Sequence, residues 1–394
     1  MLIGLFGKTN VGKSTFFAAA TQALVKIGNF PFTTIAPNTG IAYVNASCPC
    51  GYFKIKHENP FCINGTRLIP IKIVDVAGLV PGASSGKGLG NKFLDDASKA
   101  KILIHVVDIS GSTDPNGIPK TIGSYNPIDD IKFIENELEA WFKQILIREW
   151  KNLINLKNYK TDLVESIYNR FSGLSISKSE ILFVLNKLKL LSKNPLNWND
   201  DEIEQFLSEL RKKTKPILIA ANKADLCADL KIVDKITHAD AMLCSAATEL
   251  ILRKAKLKGF VNYEPWDHKF AIIDNKMSNQ QMEALQNVKV ILDKINSTGI
   301  QNILNKAVFD ILSWIVVYPV ENENSLSNKS NVVLPDAKLL PPNSTVKDLA
   351  YEIHADLGRE FLYAIDVKTK KRISDDYKLQ NNDVIKIVSS SSRK

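Results

Sequence analysis

Apolar positions along this chain follow two patterns, and the alternation between them predicts most of its architecture. The first is a short unbroken run. Leu2-Ile3-Gly4-Leu5-Phe6, Leu68 to Val74 (LIPIKIV), Lys101 to Asp108 (KILIHVVD) and Pro216 to Ala221 (PILIAA) each fit a buried strand that ends in a polar or glycine-rich turn. The second recurs in steps of three and four. Ile131, Ile134, Leu138, Trp141, Phe142, Ile145, Leu146 and Trp150 trace one helical face, and further amphipathic segments run at about 163–171, 178–191 and 200–210. An all-helical insertion is therefore expected inside an α/β sheet fold, with the aromatic stripe forming the insertion's own core. His105 sits inside an apolar run and reads as a core residue without chemistry. After Trp314 the strand pattern returns at 316–320, 361–367 and 383–388. A helix at 346–357 lies between, started by Asn343-Ser344-Thr345 and stopped at Gly358, which together make a small β-grasp pattern. The expected division is 1–127 and 214–313 for the two parts of the sheet domain, 128–213 for the insertion, 314–389 for the C-terminal domain and 390–394 for a disordered tail.

The turns that end the apolar runs carry the chemistry. Behind the first run stands Gly7-Lys8-Thr9-Asn10-Val11-Gly12-Lys13-Ser14-Thr15, then a good helix former. Strand, G-x-x-x-x-G-K-S and helix together make a phosphate loop, whose backbone N–H groups and helix N-terminus face a polyphosphate. Lys13 is expected to reach the β- and γ-phosphates and Ser14 to ligate Mg²⁺. Phe30-Pro31-Phe32 opens a loop whose Thr34 is the expected second hydroxyl ligand. Asp75, at the end of the second run, belongs to a water-mediated Mg²⁺ contact, and Gly78 in Asp75-Val76-Ala77-Gly78 to the γ-phosphate. Leu79 follows where many GTPases carry a glutamine; a leucine cannot orient water, so slow intrinsic turnover is expected. Asn10 is a candidate to hold a potassium ion beside the phosphates, and equally fits a residue that merely steadies the loop turn. The last run leads into Asn222-Lys223-Ala224-Asp225. Asp225 can accept from guanine N1–H and N2–H, a donor pair adenine lacks. Asn222 would brace the loop, Lys223 would lie along the base, and Ser245-Ala246-Ala247 would approach guanine O6.

Composition narrows the setting. The chain has 394 residues, 45% hydrophobic and 24% charged, so two or three soluble domains are expected. Its net charge of +9 favours a polyanionic partner such as RNA or the ribosome. The basic turn at Lys368, Lys370, Lys371 and Arg372 is the best local candidate for such a contact, and Arg253, Lys254, Lys256 and Lys258 form a further basic helix face. The first strand begins at Leu2, no apolar run is long enough for a bilayer, and a cytoplasmic protein is expected. Five cysteines argue against a disulfide framework. Cys48, Cys50, His57 and Cys62 offer four soft ligands, but C-x-C departs from the usual zinc spacing, so the stretch reads as ordinary reduced thiols.

With these elements placed, the chain resembles the Obg-related YchF/OLA1 GTPases, particularly their archaeal-type branch. GKTNVGKSTFFAAAT, FPFTTIAPNTG, DVAGLVPGASSGKGLGNKFLDDA, NKAD, SAATELILRKAKLKGF and LYAIDVKTKKR…NNDVIKIV carry the likeness over nearly the whole length. The resemblance implies a Ras-like P-loop GTPase domain, a helical insertion before the base-reading strand, a C-terminal TGS domain and ribosome-linked work. Well-known members carry a base-reading motif that ends in glutamate and prefer ATP. Asp225 keeps the aspartate, so GTP is expected here. The expected function is slow, Mg²⁺-dependent GTP hydrolysis as a switch. Its alternatives are an ATPase of the same fold, or an RNA- or ribosome-binding module with a structural nucleotide.

Overall fold

The computed structural model describes residues 1–21, 38–76, 98–147, 159–227, 229–236, 240–273 and 277–390. Thr34, Gly78 and Leu79 lie outside the described residues. The four apolar runs become β1, β4, β5 and β6 of the central sheet, which three further strands complete. β1 (Leu2–Phe6), β2 (Thr39–Ser47), β3 (Cys62–Ile63), β4 (Thr66–Asp75), β5 (Ile102–Asp108), β6 (Ile217–Asn222) and β7 (Asp240–Leu243) take the order β2-β4-β1-β5-β6-β7, with β3 hairpinned onto β4. β4, β1, β5, β6 and β7 run parallel, with Leu5 opposite Asp75, Phe6 opposite His105 and Asp108 opposite Asn222. Parallel register puts the C-terminal ends of these strands along one edge, so the loops that follow them gather there. Leu5, Phe6, Ile104 and Ile219 are fully buried, each contributing about 1.5–3 kcal/mol of apolar burial. His105 is buried with them, its ring stacked on Phe6 at 4.7 Å.

Between β5 and β6 the described residues include four helices of the insertion, Pro127–Ile147, Tyr159–Phe171, Lys178–Lys187 and Asp200–Thr214. Phe142, Leu146, Leu163, Ile167, Phe171, Ile181, Leu185, Phe206 and Leu210 interlock as a core of their own, with Trp141 and Ile145 packed against it. Trp141, Phe142, Ile145 and Leu146 of the expected stripe thus face this core, whereas Ile131, Ile134 and Leu138 of the same helix pack on the central sheet, and Trp150 lies outside the described residues. The last of these helices is capped by Asn199, which forms a reciprocal box with Glu202, and its first-turn acids and last-turn Arg211, Lys212 and Lys213 both suit the helix dipole.

The chain divides into two compact units: residues 1–21, 38–40 and 72–303 of the described chain in one, 41–71 and 304–390 in the other. The first also holds β8 (Val261–Asn262) and β9 (Ala271–Ile272), a separate antiparallel pair. The second contains a five-stranded sheet of β10 (Ile315–Val320), β11 (Lys338–Leu340), β12 (Phe361–Asp366), β13 (Lys371–Ile373) and β14 (Asp383–Ser389), ordered β11-β10-β14-β12-β13. Helix Val346–Ile353 packs Val346 and Leu349 against Val317, Ala364 and Ile385, and Thr345 caps it in a box with Asp348. The expected helix over 346–357 is in fact two. His354 turns extended (φ −160, ψ 139) and starts a separate helix Ala355–Arg359. Gly358 lies inside it rather than ending it, because a Cβ there would stand 2.4 Å from the Tyr351 ring. Among the described residues no helix is long and apolar enough to cross a membrane.

Candidate functional site

The loop between β1 and helix α1 (Lys13–Thr21) is shaped by two glycines that nothing else could replace. Gly7 (φ +152) would drive a Cβ to 2.4 Å from the Val106 carbonyl, and Gly12 (φ +91) would drive one to 2.4 Å from the Asn222 amide. The turn between them is held from outside. Lys8 donates to the Thr113 carbonyl at 3.0 Å, pairs with Asp130 at 2.6 Å and lies 4.1 Å over the Tyr125 ring. Asn10, at φ +64, donates its amide to the Gly117 carbonyl at 2.9 Å. Asp130 is buried, which pushes its carboxyl above the usual carboxylate range even though Lys8 and Tyr125 bond to it.

At the mouth of this loop Lys13 pairs with Asp75, and Ser14 Oγ lies 3.5 Å from the other oxygen of the same carboxylate. Three residues predicted separately are thus brought together across 61 positions of sequence. A hydroxyl beside a carboxylate is a hard-oxygen donor set suited to Mg²⁺, and a neighbouring ammonium suits a polyphosphate.

The base-side elements meet the same loop through one side chain. Asn222 is 3% exposed; its amide donates to the Val11 carbonyl at 2.9 Å while its oxygen accepts from the Ala246 N–H at 3.0 Å. It clips the phosphate loop to the Ser245-Ala246-Ala247 turn. Ser245 is buried and caps helix Ala246–Leu257, and its N–H donates to the Thr298 carbonyl at 2.9 Å. Ala247 is exposed, and Asp225 is half-exposed at the turn after β6.

Two features escaped sequence reasoning. Lys223, in a left-handed conformation at φ +61, sends its ammonium to Asp108 at 2.9 Å and Ser112 at 3.3 Å. Asp108 also accepts from the Ser110 N–H and from the Ser110, Ser112 and Thr113 hydroxyls. Burial alone would push its carboxyl up, but the bonds from Ser110, Lys223 and Ser112 outweigh burial and hold it below the usual range. The sequence signal was an aspartate closing a buried strand before a Ser/Thr-rich turn. Second, Arg253 does not face solvent with Lys254 and Lys258, and Lys256 is half-buried against Glu264 at 2.5 Å. Arg253 is buried on Glu249, which also accepts from Tyr263 at 2.7 Å and Thr298, and this network anchors the helix behind the Ser245 turn.

In the second unit the β12–β13 turn exposes Lys370, Lys371 and Arg372, with Arg372 4.0 Å over the Tyr363 ring. The Cys48, Cys50, His57 and Cys62 ligand atoms also gather there, all within 4.8 Å of one another.

Known proteins share this layout. Residues 2–150 match the 50S ribosome-binding GTPase family, 220–322 the Obg-like GTPase YGR210-like G4 motif-containing domain, and 330–389 the TGS domain. A GTP-binding protein of Methanocaldococcus jannaschii is 44% identical over 395 residues, spanning 98% of this chain and 99% of its own. The ribosome-binding ATPase YchF of Mycoplasma genitalium is 34% identical over 228 residues, 56% of each chain. The crystal structure of a GTP-binding protein from Pyrococcus horikoshii is 38% identical, covers 99% of this chain and 100% of its own, and superposes with a TM-score of 0.77.

Proposed function

Because the chain belongs to the YchF-type Obg-like GTPases, with a P-loop GTPase fold and a C-terminal TGS domain, we propose that it hydrolyses GTP to GDP and phosphate as a slow, ribosome-linked switch in the cytoplasm. The observation that supports this most is the Asn222 clip. It joins the phosphate loop to the base-side turn, so one nucleotide can span both. Binding a triphosphate would exchange the Asp75 partner of Lys13 for phosphate oxygens. Mg²⁺, held by Ser14, Thr34 and, through water, Asp75, would supply charge stabilisation at the phosphates. Lys13 and the loop amides would stabilise the same charge, with Gly78 near the γ-phosphate. A leucine at position 79 offers no hydrogen bond to an attacking water, so turnover would be slow. Asn10 would help hold K⁺ beside the phosphates.

Guanine selectivity rests on Asp225. Competition between GTP and ATP on the full chain should favour GTP. In Asp225→Asn, GTP binding should fall and xanthosine triphosphate binding should rise; unchanged selectivity would remove the base-reading assignment.

The exposed Lys370, Lys371 and Arg372 favour a second reading, an RNA- or ribosome-binding module with a structural nucleotide. It predicts ribosome binding that falls steeply with salt and ignores nucleotide state, with turnover near background. A switch predicts binding that differs between a GTP analogue and GDP.

A further inference from the structure

The cysteine cluster belongs to the second unit, and the local backbone explains why it forms. β2 ends at Ser47, and the Cys48 N–H is tied to the Gly65 carbonyl at 2.8 Å. Pro49 turns the chain into a single helical turn, Cys50–Phe53, closed by left-handed Lys54. The chain returns past His57 into β3, where Asn64 (φ 49) and Gly65 (φ 81) make a tight turn into β4. Cys48, Cys50, His57 and Cys62 are thereby brought face to face, with Cys48 Sγ 3.6 Å from His57 Nε2. Tetrahedral zinc, with Zn–S near 2.3 Å and Zn–N near 2.0–2.1 Å, requires a sulfur–nitrogen separation of about 3.6 Å. Two backbone amides point at the sulfurs, Cys50 N–H at Cys48 and Gly65 N–H at Cys62. Such N–H groups orient and stabilise metal-bound thiolates.

A second observation concerns charge. Arg67, on β4, is 2% exposed. One of its nitrogens donates to the Pro335 carbonyl at 2.9 Å, while Nε and Nη1 are buried without a hydrogen-bond partner among the described residues. Asp336 acts on it electrostatically but does not accept from either of those groups. A guanidinium cannot shed its proton, and a buried cation needs nearby negative charge. Asp336 supplies one such charge, and three thiols with a neutral imidazole add none. Zinc bound by three thiolates and one imidazole carries a net charge of about −1 next to that guanidinium.

We propose that Cys48, Cys50, His57 and Cys62 form a closed, four-ligand site for one structural zinc ion. It ties the Cys48–Phe53 turn to the β3–β4 hairpin. The C-x-C spacing, which spoke against a metal in the sequence, arises because Cys50 opens a helical turn directly after Pro49. Loading through Nε2 moves the ring proton of His57 to Nδ1, so the 3.3 Å contact from the Asn59 N–H must open.

The full chain, expressed with zinc in minimal medium and purified without chelators, should contain one zinc per chain by mass spectrometry. Cobalt substitution should give the visible bands of tetrahedral Co²⁺ with a thiolate charge-transfer band in the near ultraviolet. Cys48→Ser/Cys62→Ser should lower metal content to below about a tenth of an ion per chain, whereas Cys227→Ser should leave it intact. Should the double variant fail to fold, the parent chain still decides. A folded parent with no zinc, or with octahedral cobalt, overturns the site. Measuring its GTP binding alongside keeps that failure separate from the nucleotide reading.

Discussion

Replacing Asn222 with alanine is the most informative perturbation of the nucleotide site. The side chain makes two buried N–H···O hydrogen bonds, to the Val11 carbonyl at 2.9 Å and from the Ala246 N–H at 3.0 Å, and accepts a weaker one from the Cys244 thiol at 3.7 Å. Alanine keeps the backbone of β6 and removes all three, leaving a carbonyl and an amide unsatisfied in a site only 3% exposed. Each such group costs about 1–3 kcal/mol, so roughly 2–4 kcal/mol is at stake once partial relaxation is allowed. Part should appear as a melting temperature lowered by about 4–8 °C. Part should appear in nucleotide affinity, because the phosphate loop and the Ser245-Ala246-Ala247 turn lose their common brace. GTP and GDP should weaken together by roughly 10- to 100-fold, worth 1.4–2.7 kcal/mol, with no gain for xanthosine triphosphate. Asn222→Asp refines the test. It retains an acceptor for Ala246 but sets a carboxylate against the Val11 carbonyl, so it should bind no better than the alanine variant. Calorimetric titration with GDP and thermal melts read both quantities. A variant that melts normally and binds GDP normally would refute the claim that Asn222 unites the two halves of the site.

Further perturbations probe charge and protonation. Asp108→Ala takes away the carboxylate that pairs with the Lys223 ammonium, leaving it only the Ser112 hydroxyl, and should cost about 3 kcal/mol, read by urea unfolding; a loss under 1 kcal/mol would mean Lys223 finds solvent freely. Burial, then the Lys8 charge, push His105 down to about 3 from 6.5. A base lowered in the folded state is protonated first in the unfolded chain, so its contribution to stability falls as pH drops below about 6.5, by roughly 2 kcal/mol at pH 5. His105→Leu should flatten the wild-type difference between pH 7.5 and pH 5 by that amount, and an equal slope in both chains would show that His105 is not held neutral. GTP turnover in potassium should exceed that in sodium at equal ionic strength, with the difference lost in Asn10→Ala; identical rates would remove the cation role of Asn10.

Much of the proposed nucleotide site is legible because its motifs are local. Gly7 and Gly12 are needed where six residues turn from strand to helix, and Asp75 closes β4 while Asp225 stands in the turn just after β6, both strands being visible in the chain as apolar runs. The insertion's helices were equally legible, since steps of three and four residues determine which face turns inward. Where a local signal had two outcomes the reading slipped. Gly358 serves close packing on Tyr351 rather than a helix end, and Arg253 turns inward to Glu249 although Lys254 and Lys258 are exposed.

The sequence, then, shows the buried central strands, the helices of the insertion and the residue types at each turn, because these follow from periodicity and backbone conformation within a few residues; edge strands such as β2 and β13 carry no such unbroken apolar run. Tertiary structure alone decided which turns meet. Asn222 and Val11 stand 211 positions apart, Lys223 and Asp108 115, and Lys13 and Asp75 62. Those encounters depend on the order in which parallel strands pair, and hydrophobic periodicity says which residues are buried without saying which strand lies beside which.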